Sequence, residues 1–185
     1  IIGTGVGATF VVRAFKEIEK EGNAKAVAVA SKRGTRARGF AEKWGLEKWF
    51  TNYIEMLNPD LIDVVVVCTP HYLHFPMTID AIERGLHVLV DKPIAVDLKQ
   101  ANEMIRRAEK AGVKLGVILQ SRFDPKIRKI KDAVDSGKLG RLIMGEAVVE
   151  WYRTQEYYEK SPWRGRLSTG GGGALINQAM HTIDL

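Results

Sequence analysis

Short apolar runs alternate with stretches of helical periodicity through the first two thirds of the chain. Apolar residues recur every three to four positions from Val11 to Ile18, which predicts a helix over about 8–20. Further helices are predicted near 35–44, from about Pro76 to Gly85, and from Asp97 to Gly112. Unbroken apolar runs predict strands covered on both faces at residues 26–30, 63–68, 86–90 and 113–119. Because strands and helices alternate over short connections, the predicted fold is α/β with a doubly wound parallel sheet.

The pattern changes after residue 120. Asp124-Pro125 begins a predicted helix that ends at Gly137, and apolar and polar residues then alternate over 141–153, which predicts a long antiparallel strand. Residues 154–169 are predicted to be a loop and residues 174–185 a helix. We therefore divide the chain into a domain over 1–121 and the first part of an α+β domain over 122–185. We also expect a fragment of a longer protein, since the chain has no initial Met and stops inside a predicted helix.

Composition restricts the class of protein. The chain is 45% hydrophobic and 27% charged, and no apolar run reaches the roughly 18 residues that a membrane span needs. The single cysteine, Cys68, excludes an internal disulfide and fits a reducing compartment, so we expect a cytoplasmic protein that does not enter membranes. The net charge of +6 has two explanations, an anionic partner or a lysine-rich solvated surface.

The chain opens with an apolar strand end and a glycine-rich turn that reads G-x-G-x-x-A at Gly3, Gly5 and Ala8. In a dinucleotide-binding turn the first position allows the tight turn and the second allows close approach of a pyrophosphate. The small third residue lets the next helix pack on the sheet, with its N-terminus directed at the anion. The same residues also suit an ordinary strand-to-helix turn. The candidate cofactor contacts here are Gly3, Thr4, Gly5, Val6, Gly7 and Ala8.

Polar residues follow each predicted strand, at the sheet edge where open parallel sheets bind ligands. Besides the glycine turn, these strand ends are Ser31-Lys32-Arg33, Thr69-Pro70-His71 with His74, Asp91-Lys92-Pro93, and Gln120-Ser121-Arg122. Because five such ends converge at one edge, they predict a binding site.

The second strand end indicates the type of dinucleotide. NAD-binding proteins place a carboxylate here for the ribose 2′-hydroxyl, whereas this chain has Ser31, Lys32, Arg33 and Arg36. A hydroxyl and several cations suit a 2′-phosphate, so NADP is favoured over NAD. A solvated loop is the alternative. No aromatic residues interleave with these charges, so nucleic acid is not an expected partner.

Two residues are candidates for proton chemistry. Lys92 stands at a strand end and could polarise a hydroxyl, although lysine is common at such ends. His181 shares one face of the last predicted helix with Asn177 and Asp184, and that face could also be merely exposed. Cys68, His71 and His74 lack a fourth ligand at zinc-like spacing, so no metal site is predicted.

Taken together, these motifs resemble the glucose–fructose oxidoreductase / inositol dehydrogenase family. The resemblance spans essentially the whole chain and rests on motifs in a fixed order. These are Val67-Cys68-Thr69-Pro70 with His74, Val90-Asp91-Lys92-Pro93, residues 120–125, Ser136-Gly137-Lys138-Leu139-Gly140, Trp163-Arg164, and residues 171–185.

The resemblance implies a Rossmann domain followed by a domain with a large, mostly antiparallel sheet, which covers the active site and builds a homo-oligomer, expected to be a dimer or tetramer. It implies an NAD(P)-dependent oxidoreductase that moves a hydride between the nicotinamide and a secondary alcohol or ketone of a sugar, polyol or related small molecule. His181 would take the proton, Lys92 would polarise the oxygen, and Trp163 and Arg164 would lie near the nicotinamide. The candidate substrate contacts are Lys92, Arg122, Asn177 and His181.

Two positions depart from the family's pattern. Asp91 replaces a Glu that often precedes the Lys-Pro pair, and Asn177 replaces an Asp found in inositol dehydrogenase-like members. An amide can position a substrate but cannot share a proton, which puts a Lys–Asp–His relay in doubt. Two alternatives stay open: a glycosidase that retains its cofactor, and a dinucleotide-sensing regulator without turnover.

Overall fold

The computed structural model describes all residues, 1–185. Five short strands alternate with helices in its first part: β1 (Ala28–Ala30), β2 (Lys48–Phe50), β3 (Val64–Val67), β4 (His87–Asp91) and β5 (Leu115–Ile118). The helices of this part are α1 (Val6–Lys20), which precedes β1, α2 (Gly34–Trp44), α3 (Tyr53–Met56), α4 (His74–Ile82) and α5 (Leu98–Ala111). The remaining helices are α6 (Pro125–Asp135), α7 (Gln155–Glu159), α8 (Leu167–Gly170), α9 (Ala174–Asn177) and α10 (Met180–Asp184).

All strand pairs are parallel. β1 pairs with β2, while β4 lies between β3 and β5. Ile2 joins the two groups, because it bridges to Ala30 on one side and to Val67 on the other. The resulting order is β2-β1-Ile2-β3-β4-β5, so the chain segment that leads into the glycine turn lies at the centre of the sheet.

Successive side chains of the strands enter two different cores. Val65 and Val67 pack with buried residues of α4 and α5, whereas Val66 packs with buried residues of α1 and α2. This alternation is the period-two geometry of a strand covered on both faces. The predicted doubly wound parallel sheet is therefore confirmed.

The structure differs from the sequence predictions in several places. β2 and α3 were not predicted, because Lys48-Trp49-Phe50 is short and two of its three residues are exposed. The predicted loop over 154–169 contains the short helices α7 and α8, and the predicted helix over 174–185 is divided into α9 and α10 at Gln178-Ala179.

The long strand predicted over 141–153 is not formed, since those residues have no regular structure. Several of their apolar side chains are exposed, Ile143 and Met144 almost completely. A strand needs a neighbour for its backbone hydrogen bonds and a surface for its apolar face, and residues 1–185 place neither beside this segment. No helix of the structure combines the length and the apolar character that crossing a membrane requires.

Candidate active site

The glycine turn passes from the central strand position directly into α1. Gly3 has a φ of 111°, and a β-carbon there would lie 2.3 Å from the carbonyl oxygen of Cys68. Gly5 precedes α1, has ordinary extended backbone, and a β-carbon there would meet nothing within 4 Å. No side chain caps α1, and its first turn holds no acidic residue. The first N–H groups of a 15-residue helix therefore face an open space suited to an anion.

A cleft of about 640 Å³ extends from this turn along the carboxyl ends of the strands. It brings together most of the predicted cofactor residues: Gly3, Thr4, Gly5, Val6, Gly7, Ser31, Lys32, Arg33, Arg36, Thr69, Pro70, His71, Asp91, Lys92, Trp163 and Arg164. Asn177, predicted as a substrate contact, also lines it. The cleft is therefore lined both by the carboxyl edge of the parallel sheet and by residues of the later segment, namely Trp163, Arg164 and Asn177.

Some lining residues were not predicted. Thr51 and Tyr53 enter the cleft because they follow β2, which the sequence pattern did not identify. Tyr72, Leu73 and Met77 line it from the turn after β3 and from α4, and Lys160, Ser161 and Pro162 come from the segment before Trp163. Residues 160–162 directly precede Trp163 and Arg164, which were predicted to line the site. That proximity in the chain was the one sequence signal that could have identified them.

Five predicted site residues do not line the cleft. Ala8 is fully buried beneath the turn, where its small size lets α1 pack against the sheet. Gln120 and Arg122 lie in a short 3₁₀ turn after β5, and Arg122 binds Asp184 through two hydrogen bonds. His74 is fully buried, and His181 lies in α10, four residues after Asn177 in the chain.

His74 connects two of the loops that carry site residues. Its Nδ1 lies 2.7 Å from the carbonyl oxygen of Pro93, and its Nε2 lies 2.9 Å from that of Thr69. Burial lowers the pKa of His74, while both carbonyls and the nearby Asp91 oppose that effect. The imidazole therefore holds the loops after β3 and β4 together and positions Lys92.

His71 connects the sheet edge to the glycine-rich segment. Its Nδ1 lies 2.8 Å from the carbonyl oxygen of Gly170, and since a carbonyl only accepts, this nitrogen carries the proton. The Trp163 indole and the imidazole pack in a T-shaped arrangement, with ring centres 4.5 Å apart. Burial lowers the pKa of His71 to about 4, so the ring is neutral at neutral pH.

Lys92 lies at the end of β4 beside Asp91. Its Nζ donates a hydrogen bond to the backbone carbonyl of Asn177, and its backbone N–H donates to the Asp91 carboxylate at 2.8 Å. Burial lowers the pKa of Lys92 and raises that of Asp91. An ammonium that is partly removed from water in this way interacts more strongly with a substrate oxygen than an exposed one does.

The positive charge of Lys92 affects the pKa of His181. Burial and then the Lys92 charge lower the pKa of His181, and Asp91 and Asp184 oppose the shift. Its Nδ1 is buried and has no hydrogen-bond partner in the protein. Since burial and the Lys92 charge keep the pKa of His181 below its ordinary value, the imidazole is neutral at neutral pH.

Cys68 is a structural residue of the sheet. It is buried, and burial together with Asp91 raises the pKa of its thiol to about 12. The structure contains no group of three or more His, Cys, Asp or Glu residues arranged to hold a metal ion.

The chain matches two family models. Residues 1–119 match the oxidoreductase family with an NAD-binding Rossmann fold, and residues 127–185 match the GFO/IDH/MocA C-terminal domain.

Three relatives illustrate the range of similar proteins. Oxidoreductase P35 of Formosa agariphila is 30% identical over 98% of this chain and 57% of its own length. The scyllo-inositol 2-dehydrogenase (NAD(+)) of Bacillus subtilis is 31% identical over 88% of this chain and 45% of its own. The crystal structure of the WlbA dehydrogenase from Bordetella pertussis, in complex with NADH and UDP-GlcNAcA, is 30% identical, with a TM-score of 0.93 over 100% of this chain and 55% of that one.

The chain spans about half the length of the curated relatives it matches. The family models nevertheless cover most of the chain, and the fold and the glycine turn described above agree with them. The chain belongs to the GFO/IDH/MocA oxidoreductase family and carries its NAD-binding Rossmann domain.

Proposed function

We propose that the protein is an NAD(P)-dependent dehydrogenase or reductase that acts on a secondary alcohol or ketone of a sugar, polyol or related small molecule. The observation that supports this most directly is the position of Lys92. It extends from a strand end of the coenzyme cleft and bonds to Asn177, four residues before His181. Lys92 therefore links the cleft to the chain segment that carries His181.

The residues at this end have separate tasks. The Lys92 ammonium binds the substrate oxygen and stabilises negative charge on it, and the neutral His181 accepts the hydroxyl proton during oxidation. The carbonyl of Asn177 orients the ammonium, and Asp91 balances its charge. The Asn177 amide is neither an acid nor a base at neutral pH, so the proposed proton transfer runs from the substrate to His181 without it.

The residues present fit a dinucleotide. The uncapped start of α1 and the open space at Gly5 suit the pyrophosphate. His71, Trp163 and Arg164 also line the cleft, and we propose that the nicotinamide would lie beside them. When bound, the nicotinamide supplies the hydride acceptor or donor.

Turnover tests this proposal directly. The full-length protein is mixed with NAD or NADP and a panel of sugars and polyols, and absorbance of the reduced nicotinamide is followed. We expect at least one sugar or polyol of the panel to reduce the coenzyme, and this reduction should require Lys92. Release of an aglycone without net reduction of the coenzyme would instead identify a cofactor-retaining glycosidase, and coenzyme binding without any turnover would indicate a regulator.

We further propose that NADP is preferred over NAD. Ser31, Lys32, Arg33 and Arg36 all line the cleft and none of them is acidic. For the double variant Arg33→Ala plus Arg36→Ala we expect a loss of NADP affinity of about tenfold or more, because each charge-assisted bond to a phosphate contributes on the order of 1.5–3 kcal/mol. NAD affinity, measured by the same titration, should change little. Equal effects on both coenzymes would contradict the preference.

The pH dependence of oxidation should follow His181. The neutral imidazole is the base, and its pKa lies below the ordinary 6.5. kcat/KM is therefore expected to rise with pH through a value below 6.5 and to level off by neutral pH. His181→Gln should remove this rise as well as most activity. An inflection above 6.5, or one that persists in the variant, would assign the proton to another group.

The domain boundary and the oligomeric state are proposals as well. We propose that the domain boundary lies at 121/122 and that the full-length protein forms a homo-oligomer through the sheet of its second domain. The exposed apolar side chains among residues 139–152 support this arrangement, since further chain or a second copy would cover them.

A further inference from the structure

The helix that carries His181, α10, has few contacts to hold it in place. It consists of five residues, Met180–Asp184, and none of them is buried. A helix of this length is not stable by itself in water, so its position depends on contacts with the rest of the protein. The place of the His181 imidazole therefore depends on whatever fixes α10.

One polar link joins α10 to a distant part of the chain. Arg122, in the 3₁₀ turn after β5, donates from its Nε to one oxygen of the Asp184 carboxylate at 2.7 Å and from its Nη2 to the other oxygen. No other hydrogen bond or ion pair connects residues 180–184 to a residue outside 174–185. The link therefore ties α10 to the end of a sheet strand.

The geometry of this link distinguishes it from most surface ion pairs. The Asp184 side chain is only 8% exposed, although that of Arg122 is 59% exposed. Exposed ion pairs usually contribute little, but two parallel N–H···O bonds to one carboxylate restrict the orientation of both partners. These hydrogen bonds lower the pKa of Asp184, so the carboxylate stays ionised at neutral pH. Arg122 thus holds the last turn of α10.

The His181 imidazole has no restraint of its own at its buried nitrogen, because Nδ1 has no hydrogen-bond partner in the protein. The charged groups that act on the ring are Lys92 and Asp91 at the end of β4, and Asp184 on α10 itself. Burial and Lys92 lower the pKa of His181, and the two carboxylates oppose that shift. A displacement of α10 would change the distances from the ring to the β4 groups, and loss of Arg122 would leave the Asp184 charge uncompensated.

We infer that Arg122 is a positioning residue for the proposed reaction, which acts through Asp184 to hold α10 and, with it, the His181 imidazole. This inference rests on the proposed function, in which His181 accepts the substrate proton. It assigns Arg122 a role other than the direct substrate contact that the resemblance implied, since the guanidinium is bound by Asp184 and does not line the cleft.

Two substitutions in the full-length protein break the link from opposite sides. Arg122→Gln and Asp184→Asn should each lower kcat by about 10–100-fold, since a misplacement of about 1 Å can cost about 10²-fold. Because both remove the same link, the double variant should be no slower than the slower single variant. Arg122→Lys keeps the charge without the planar fork, so it should retain more activity than Arg122→Gln.

The pH profile separates this role from a merely structural one. Without Arg122 the Asp184 carboxylate acts more strongly on His181, so the inflection of kcat/KM should move to higher pH than in the wild type. Asp184→Asn removes a carboxylate that raises the pKa of His181, so the inflection should move to lower pH. Loss of stability alone would not shift the two profiles in opposite directions. NMR titration of the His181 imidazole, which needs no turnover, should show the same two shifts.

Arg106 provides the matched control. Its Nε and Nη2 bind the two carboxylate oxygens of Glu103 on the surface of α5, which is the same two-bond arrangement outside the cleft. Arg106→Gln should leave kcat within about twofold of the wild type, as expected for a surface ion pair, and should not move the inflection.

The outcomes separate the inference from the proposed function. If the wild type turns over no substrate but the His181 titration shifts in opposite directions in the two variants, the proposed function fails and the link from Arg122 to His181 remains. If turnover occurs and both variants keep the wild-type kcat and pH profile, the inference is overturned and the function remains. A rise in KM confined to Arg122→Gln, with Asp184→Asn unaffected, would make Arg122 a direct substrate contact and would also overturn the inference.

Discussion

Replacing Lys92 by methionine is expected to lower kcat by about 10²–10⁴-fold, the range typical of a positioned group that assists proton transfer and charge stabilisation. Methionine keeps the unbranched apolar stem but removes the ammonium that bonds to Asn177. Coenzyme affinity should change little, since the pyrophosphate and ribose ends of the cleft lie at other strand ends. Steady-state kinetics and coenzyme titration of the full-length protein measure the two effects separately.

A matched lysine serves as the control for this experiment. Lys114 is exposed and precedes β5, so it lies at the amino end of the strand next to β4, away from the cleft. Lys114→Met should retain full activity. If Lys92→Met also retained it, the ammonium would have no part in the reaction, and the proposed function would lose the observation that supports it.

Alanine at Gly3 should destabilise the fold by roughly 2–5 kcal/mol, which combines the strain of a positive φ with overpacking. The β-carbon would lie 2.3 Å from the backbone oxygen of Cys68, and backbone at the centre of the sheet cannot move aside as a flexible side chain can. The free energy of unfolding, obtained from denaturant titration of the full-length protein, measures this effect.

Alanine at Gly5 should have the opposite profile. A β-carbon there meets no protein atom within 4 Å and the backbone is in an ordinary region, so stability should fall by less than about 1 kcal/mol. The methyl group would instead fill the space proposed for the pyrophosphate, and we expect coenzyme affinity to fall tenfold or more. Unchanged affinity in Gly5→Ala would mean that the coenzyme does not approach this turn.

Residues near one another in the chain were the easiest to interpret. The helix start at Asp97 followed from a local capping pattern, and its side chain accepts a hydrogen bond from the Gln100 N–H. The strand over 64–67 followed from an unbroken run of valines, whose alternation between two cores confirms coverage on both faces. Such patterns depend on backbone periodicity and hardly on the rest of the molecule.

Other elements depended on partners far along the chain. β2 forms because its backbone pairs with β1, and its own three residues carry little information. The segment over 141–153 alternates like a strand, yet it has no neighbour here and stays irregular. Arg122 follows β5 as a site residue would, but its guanidinium bonds to Asp184 in α10.

The sequence by itself determined the Rossmann character of this protein, the glycine turn at its centre, and the set of strand ends that meet at one edge, because local periodicity and the parallel topology are sufficient for those conclusions. Tertiary structure alone decided which side chains reach the cleft and which donors remain unpartnered. Contacts such as Lys92 to Asn177 and His71 to Gly170 join residues 85 and 99 positions apart. No local pattern encodes such a pairing, since it depends on how the packed helices orient each segment over the sheet.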